Sequence, residues 1–213
     1  MASTIPSDII DALALRGLRA AGGLNPTADD GLPPRIRSVL LLSPGPAFWD
    51  IFTASHEYQG AQADPMDRWS RRVIARLACE LGAKAYFPFG PTPAPFFGWA
   101  QRSGQAWSSP VKLLVGAEMG LNISYRGALG LTKRIDFTTE APPCETCGAP
   151  CTGACPAGAL TPEGYDVPAC QDYLDRNPDG PCRTDGCQVR RACPTSSFQT
   201  GEHARFHMAA FLK

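Results

Sequence analysis

The sequence predicts an α+β fold made of a sheet-and-helix body and a separate cysteine-rich subdomain. Three observations lead there. Short apolar runs with strand character are interleaved with amphipathic helical stretches over the first two thirds of the chain. From Glu140 onward, after which Pro142-Pro143 introduces a new composition, small residues and prolines replace that periodicity. Eight of the nine cysteines then fall between Cys144 and Cys193. The boundaries expected are 1–139 for the body, 140–199 for the cysteine subdomain and 200–213 for a C-terminal helix that packs back on the body.

Taken in order, Ser7 is a plausible N-cap for a helix running to about Ala21, with Ile9, Ile10, Leu13 and Ala14 on one face and Gly22-Gly23 as its stop. Residues 24–34 have turn chemistry. Ser38–Ser43 is an apolar run that ends in Pro44-Gly45-Pro46 and reads as a buried strand. Phe48, Ile51 and Phe52 have helical spacing. Asp64-Pro65 is a strong helix start, and Trp69, Val73, Ile74, Leu77, Ala78 and Leu81 keep one stripe until Gly82. Arg68, Arg71, Arg72 and Arg76 lie on its other side, which reads as a solvated face or, more sharply, a phosphate or acidic-partner site. Residues 84–89 read as a strand and 90–110 as a Pro/Gly/aromatic loop. Its Phe96, Phe97, Trp99 and Trp107 either close the core or wall a flat ligand. Val111–Val115 and Ser124–Ile135 read as further strands, and Glu202–Lys213 as a helix carrying His203 and His207 at i, i+4.

Composition narrows the function classes. A chain of 213 residues with 44% hydrophobic content can bury a core without disulfides. Lys+Arg and Asp+Glu are both 20, so no electrostatic footprint points to nucleic acid or an anionic membrane. The first residues lack a basic, then apolar, leader, and no apolar run approaches the ~20 residues of a membrane span. The expectation is a cytoplasmic protein with neither nucleic acid nor membrane as partner. In a reducing cytosol, clustered cysteines are metal ligands or catalytic groups rather than disulfides.

Their spacing points to iron–sulfur clusters. Cys144, Cys147, Cys151 and Cys155-Pro156 form one run; Cys170, Cys182, Cys187 and Cys193-Pro194 form a second. In a bacterial-type ferredoxin the run is C-x2-C-x2-C-x3-C-P, and its fourth cysteine ligates the other cluster. On that pattern Cys144, Cys147, Cys151 and Cys193 hold one [4Fe–4S] cluster, and Cys155, Cys170, Cys182 and Cys187 hold a second. The spacing departs from it twice, with three residues between Cys147 and Cys151 and five between Cys187 and Cys193. A single cluster, or two runs each closing on its own cluster, stays open. Zinc is the main alternative for Cys-x2-Cys, but it needs only four ligands and gives no reason for two Cys-Pro endings. Cys79, inside the 65–82 helix, reads as a small buried hydrophobe.

Residues 140–194 resemble the C-terminal half of epoxyqueuosine reductase, a cobalamin- and iron–sulfur-dependent family related to the reductive dehalogenases. The resemblance rests on a first cysteine run ending in Cys-Pro, a lone cysteine before a short helix (Ala-Cys170-Gln-Asp-Tyr-Leu), and a compact final run ending in Cys-Pro. Upstream, Gly120–Gly130 is similar to a segment of the CblC-type cobalamin-processing proteins, which implies a flavin-reductase-like, nitroreductase-related α+β body. The epoxyqueuosine reductases carry an acidic proton donor where this chain has Phe89-Gly-Pro-Thr-Pro-Ala-Pro-Phe-Phe97, with no acid. The chain also looks closer to short ferredoxin-like proteins that join a reduced CblC-like body to a cysteine-rich tail.

Two functions follow. In the first, favoured by the missing acid and the short chain, the chain carries electrons between partner proteins through two clusters. In the second, the clusters feed a cobalamin or flavin held by the body, with Trp99, Tyr125 and Arg126 near the ligand. Purely structural clusters are the third reading.

Overall fold

The computed structural model describes residues 5–196 and 201–212. Met1–Thr4 and the expected boundary at 199–200 lie outside them. The described residues form a mixed α+β structure with a four-stranded antiparallel sheet. In chain order the elements are α1 (Ser7–Ala14), β1 (Leu18–Leu24), β2 (Ser38–Pro44), α2 (Phe48–Thr53), α3 (His56–Gln59), α4 (Pro65–Glu80), β3 (Lys84–Tyr86), α5 (Phe96–Arg102), β4 (Ala106–Ser108), β5 (Leu114–Gly116), β6 (Gly127–Leu131), α6 (Val167–Arg176), α7 (Pro181–Thr184), α8 (Gln188–Arg191) and α9 (Gly201–Phe211). No helix among the described residues is long and apolar enough to cross a membrane.

The chain divides into two compact units, Met1–Gln105 with Ser124–Glu140, and Ala106–Ile123 with Ala141–Lys213. The first holds the sheet, in the order β1-β2-β6-β3. Its centre is β2, in which Ser38 to Ser43 are all buried, paired with β6 in the register Leu40↔Leu129 and Leu41↔Ala128. A strand apolar at successive positions is one covered on both faces, which explains its unbroken Val-Leu-Leu-Leu run. Phe48, Phe52 and Trp69 form a buried aromatic group, with Phe48 edge-on to Trp69 at 5.2 Å and stacked on Phe52 at 5.7 Å. Such pairs contribute about 0.5–1.5 kcal/mol beyond their area burial.

The helix expected to run from Ser7 to about Ala21 ends at Ala14, and the chain turns into β1 instead. Gly17 is the reason: its φ is +68°, and a Cβ there would stand 2.8 Å from the Phe48 Cα. The expected loop over 90–110 contains α5 and β4. The arginine face of α4 is not simply solvated. Arg72 holds the buried Glu57 carboxylate through Nε at 2.5 Å and Nη2 at 2.9 Å. Arg68 donates to the Glu57, Gln62 and Ala63 carbonyls, and Arg71 lies over the Phe87 and Phe89 rings. Cys79 is exposed on α4 rather than buried, because it falls off the Ile74, Leu77, Ala78 stripe.

The second unit takes in Ala106–Ile123, a stretch assigned to the body on sequence grounds, and with it the β4–β5 hairpin. The cysteine segment has few large apolar residues. Val111, Val115 and Leu121 supply the missing core by packing with Cys151, Leu160 and Val189. The C-terminal helix α9, expected on the body, also belongs to this unit, where Met208 is buried with Leu174 and Cys182.

Glu57 generates a pH prediction for the first unit. The Arg72 hydrogen bonds lower its pKa from the ordinary 4.5 to about 2 against an opposing effect of burial. A carboxylate depressed in the folded state adds stability that is complete above its unfolded pKa and is lost as pH falls through the folded value. The expected result is a loss of thermal stability between about pH 4.5 and about 2, with a flatter acid limb in Glu57→Gln. Melting curves across that range, followed by tryptophan fluorescence, check it.

Candidate metal centre

Cys144, Cys147, Cys151 and Cys193 line one small cavity of about 10 Å³. The chain reaches it by successive tight turns. Cys147 N–H donates to the Cys144 carbonyl at 3.3 Å, and Ala149 takes a left-handed conformation before a 3₁₀ turn at Pro150–Gly153 that buries Cys151. Cys193 arrives from the far end of the segment, at the close of α8. Its position is tied down by the next residues: Ser196 N–H donates to the Cys193 carbonyl at 3.0 Å, and Ser196 Oγ accepts from Leu121 N–H at 2.9 Å.

Cys155, Cys170, Cys182 and Cys187 line a second, larger cavity of about 170 Å³. Cys170 sits in the first turns of α6, whose N-cap Asp166 accepts from Ala169 N–H at 3.0 Å. Pro181 starts α7 and places the buried Cys182 one residue later, while Cys187 is the N-cap of α8. Between Cys155 and Cys170 the chain doubles back through mutual Thr161–Gly164 bonds, so Leu160 pairs with Tyr165. That turn brings the Tyr165 phenol to the same cavity wall as Cys170.

The second cavity has room for several waters, whereas the four thiols of the first close around space for about one. Among the described residues no three His, Cys, Asp or Glu side chains are gathered tightly enough to hold a single metal ion; each set of four instead surrounds its space. Burial pushes the Cys144, Cys151, Cys170 and Cys182 thiols up, and the other thiols of the same set add to it: Cys147, Cys193 and Cys151 around Cys144; Cys187, Cys155 and Cys170 around Cys182. Backbone N–H groups offset this in part. Ala159 N–H reaches Cys155 Sγ at 3.3 Å, and the Gln188 and Thr152 N–H groups face Cys182 and Cys151. N–H groups aimed at sulfur are what a thiolate-bound group uses to stabilise its charge.

Trp99, Tyr125 and Arg126 lie in the first unit and are packed or bonded within it. Trp99 is 1% exposed, and its Nε1 donates to Asp30 at 2.9 Å; Arg102 grips the same carboxylate at 2.7 and 2.9 Å and holds it well below the usual range. Arg126 donates to Asp67 at 2.5 Å and to Ser70 at 3.2 Å. Tyr125 is buried against Phe96, which raises its pKa, and its hydroxyl has no hydrogen-bond partner among the described residues. Trp107 belongs to the second unit, and Phe97 is exposed. Of the α9 histidines, His207 borders the second cavity and burial pulls His203 down. Sequence reasoning missed Tyr165 and Arg190, both beside the second set. Their only signal was proximity, with Arg190 three residues beyond Cys187 and Tyr165 five before Cys170.

Gly120 sets the approach of the hairpin to the Cys193 segment. Its φ is +53°, and a Cβ there would collide with the Ser196 backbone nitrogen. Gly120→Ala is expected to destabilise the second unit by about 1–3 kcal/mol, the range for a non-glycine residue forced into such backbone. Denaturant unfolding followed through Trp107 measures it, and an unchanged midpoint contradicts this account.

Comparisons with protein-family models, with curated proteins and with solved structures find no significant match to this chain.

Proposed function

We propose that the chain is an iron–sulfur electron-transfer protein that holds two [4Fe–4S] clusters and exchanges electrons with a redox partner protein. The observation that carries this reading is the division of the eight clustered thiols into two sets of four, each around its own cavity. The division crosses the order of the sequence. Cys193 joins the Cys144–Cys151 turns, and Cys155 leaves its run for Cys170, Cys182 and Cys187. Interlocked sets of that kind are how a bacterial-type ferredoxin binds two cubanes. Four thiolates complete the ligand set of one cubane, and the N–H groups aimed at Cys151, Cys155 and Cys182 suit it. When bound, such a group stores and releases single electrons. The protein's own residues hold it, limit water around it and set its local charge.

The body is proposed, on the Gly120–Gly130 resemblance, as a reduced CblC-like, nitroreductase-related scaffold, and the cysteine segment as akin to the C-terminal half of epoxyqueuosine reductase. The carrier is preferred to a cobalamin- or flavin-dependent reductase because Trp99 and Arg126 already spend their polar groups on Asp30 and Asp67, and Tyr125 is packed on Phe96.

Anaerobic reconstitution of the full chain, with iron and acid-labile sulfide measured, tests the reading. About eight of each per chain are expected from two complete ligand sets; zinc without sulfide overturns it. Cys155→Ser should damage the cluster of Cys170, Cys182 and Cys187 and spare the one nearest in sequence, as read by EPR. Saturable cobalamin or flavin binding, with its reduction by the clusters, would replace the carrier by the reductase.

A further inference from the structure

We infer that Arg190 and Tyr165 make the Cys155, Cys170, Cys182 and Cys187 set the one that accepts an electron more readily, so that the two sets are unequal by construction. This rests on the two-cluster reading above.

The asymmetry is in the cavity walls. Around Cys144, Cys147, Cys151 and Cys193 the other lining residues are Ser109, Pro110, Val115, Leu121, small residues and prolines, with no charged side chain among them. The second cavity is also mostly apolar, but Arg190 and the Tyr165 phenol line it. Arg190 lies on α8, and its Nη1 donates to the Leu121 carbonyl at 2.6 Å, which fixes where the guanidinium sits. Arg190 shares the cavity wall with Cys187 and the neutral Tyr165 phenol, while burial works against its own charge. Asp185, Arg191 and His207 share a small adjoining cavity with it. Asp185 is exposed, so water weakens its opposing field.

The chemistry needs no bond changes. An external one-electron reductant supplies the electron, no proton moves, and one negative charge is added inside the ring of thiolates. A cation held beside that ring stabilises the added charge in inverse proportion to distance and local dielectric. The Tyr165 phenol lines the same cavity as Cys170, and a hydroxyl offered to that sulfur withdraws charge from a ligand in the same direction. Net charge and hydrogen bonds to sulfur are among the factors that set cluster potentials. The first set has N–H contacts but no such cation.

The test is a dithionite titration of the anaerobically reconstituted full chain, followed by EPR at each potential, for wild type, Arg190→Gln, Arg190→Lys and Tyr165→Phe. Iron and sulfide are measured on every sample. Wild type is expected to reduce in two separate steps, with Cys170→Ser altering the signal of the earlier one. Arg190→Gln should move that step to more negative potential and leave the later step in place. Arg190→Lys should keep most of the wild-type value, and Tyr165→Phe should move the same step by less. Coincident wild-type steps, or an Arg190→Gln shift that is absent, equal in both steps or confined to the later one, overturns the inference while the two clusters stand. If Arg190→Gln does not assemble clusters, Tyr165→Phe decides: an unmoved earlier step overturns it. A wild-type protein without iron and sulfide removes the two-cluster reading itself.

Discussion

The second unit is organised by the crossing of its cysteines. Cys155 and Cys193 each sit at the end of a run and each lines the other run's cavity. Everything between residues 144 and 193 therefore lies inside overlapping loops, and each loop must close before either set of four is complete. Closing a loop costs entropy that grows only slowly with its length, so the long excursions from 151 to 193 and from 155 to 170 add little more than short ones would. What the crossing does demand is a strict path. The turns at Ala149–Gly153 and Thr161–Gly164 and the short helices α7 and α8 keep that path with few residues.

The apolar core beneath those loops is small. It consists of one group around Val111, Leu121, Leu160 and Val189 and another around Leu174 and Met208, each with cysteines in its lining. A core of that size gains from any group that draws the thiols together, so under the proposed function cluster binding and folding of this unit are coupled. The first unit is built otherwise. Its sheet is covered, its aromatic residues interlock, and its buried carboxylates Asp30 and Glu57 are each held by an arginine. In each pair the arginine is about half exposed and covers the carboxylate, so the pair closes the edge of the unit while its cation stays in contact with water.

Much of this was legible in the sequence where one signal acted alone. The Ser38–Ser43 run became β2, Asp64-Pro65 opened α4, and the composition shifts at Glu140, where the chain passes from the first unit to the second. Where two signals competed, local reading failed. The apolar spacing after Ser7 continued the helix on paper, but Gly17 breaks it to let Phe48 approach. Cys79 has the composition of a buried residue and the helical phase of an exposed one, and phase wins. The aromatic stretch 96–107 was one loop in the sequence and is divided between two units in space, since Trp99 finds Asp30 while Trp107 pairs with Val115 across the hairpin. No local pattern reports a partner that distant.

The hairpin's place in the second unit links packing to charge. The cysteine segment is too poor in apolar residues to cover itself, so Val111, Val115 and Leu121 come from upstream to do so. Bringing in a strand end also brings in a backbone carbonyl that must be satisfied, and Leu121 offers its own to Arg190. One hydrogen bond then does two things: it satisfies the hairpin, and it holds a cation at a fixed point beside Cys187 rather than letting a long side chain swing into water. The first set of thiols lies against the same Leu121 side chain and receives only its apolar face. The unequal electrostatics of the two sets thus follow from how a cysteine-rich segment borrows its core, with the carbonyl of one residue turned to the second set's arginine and its side chain turned to the first.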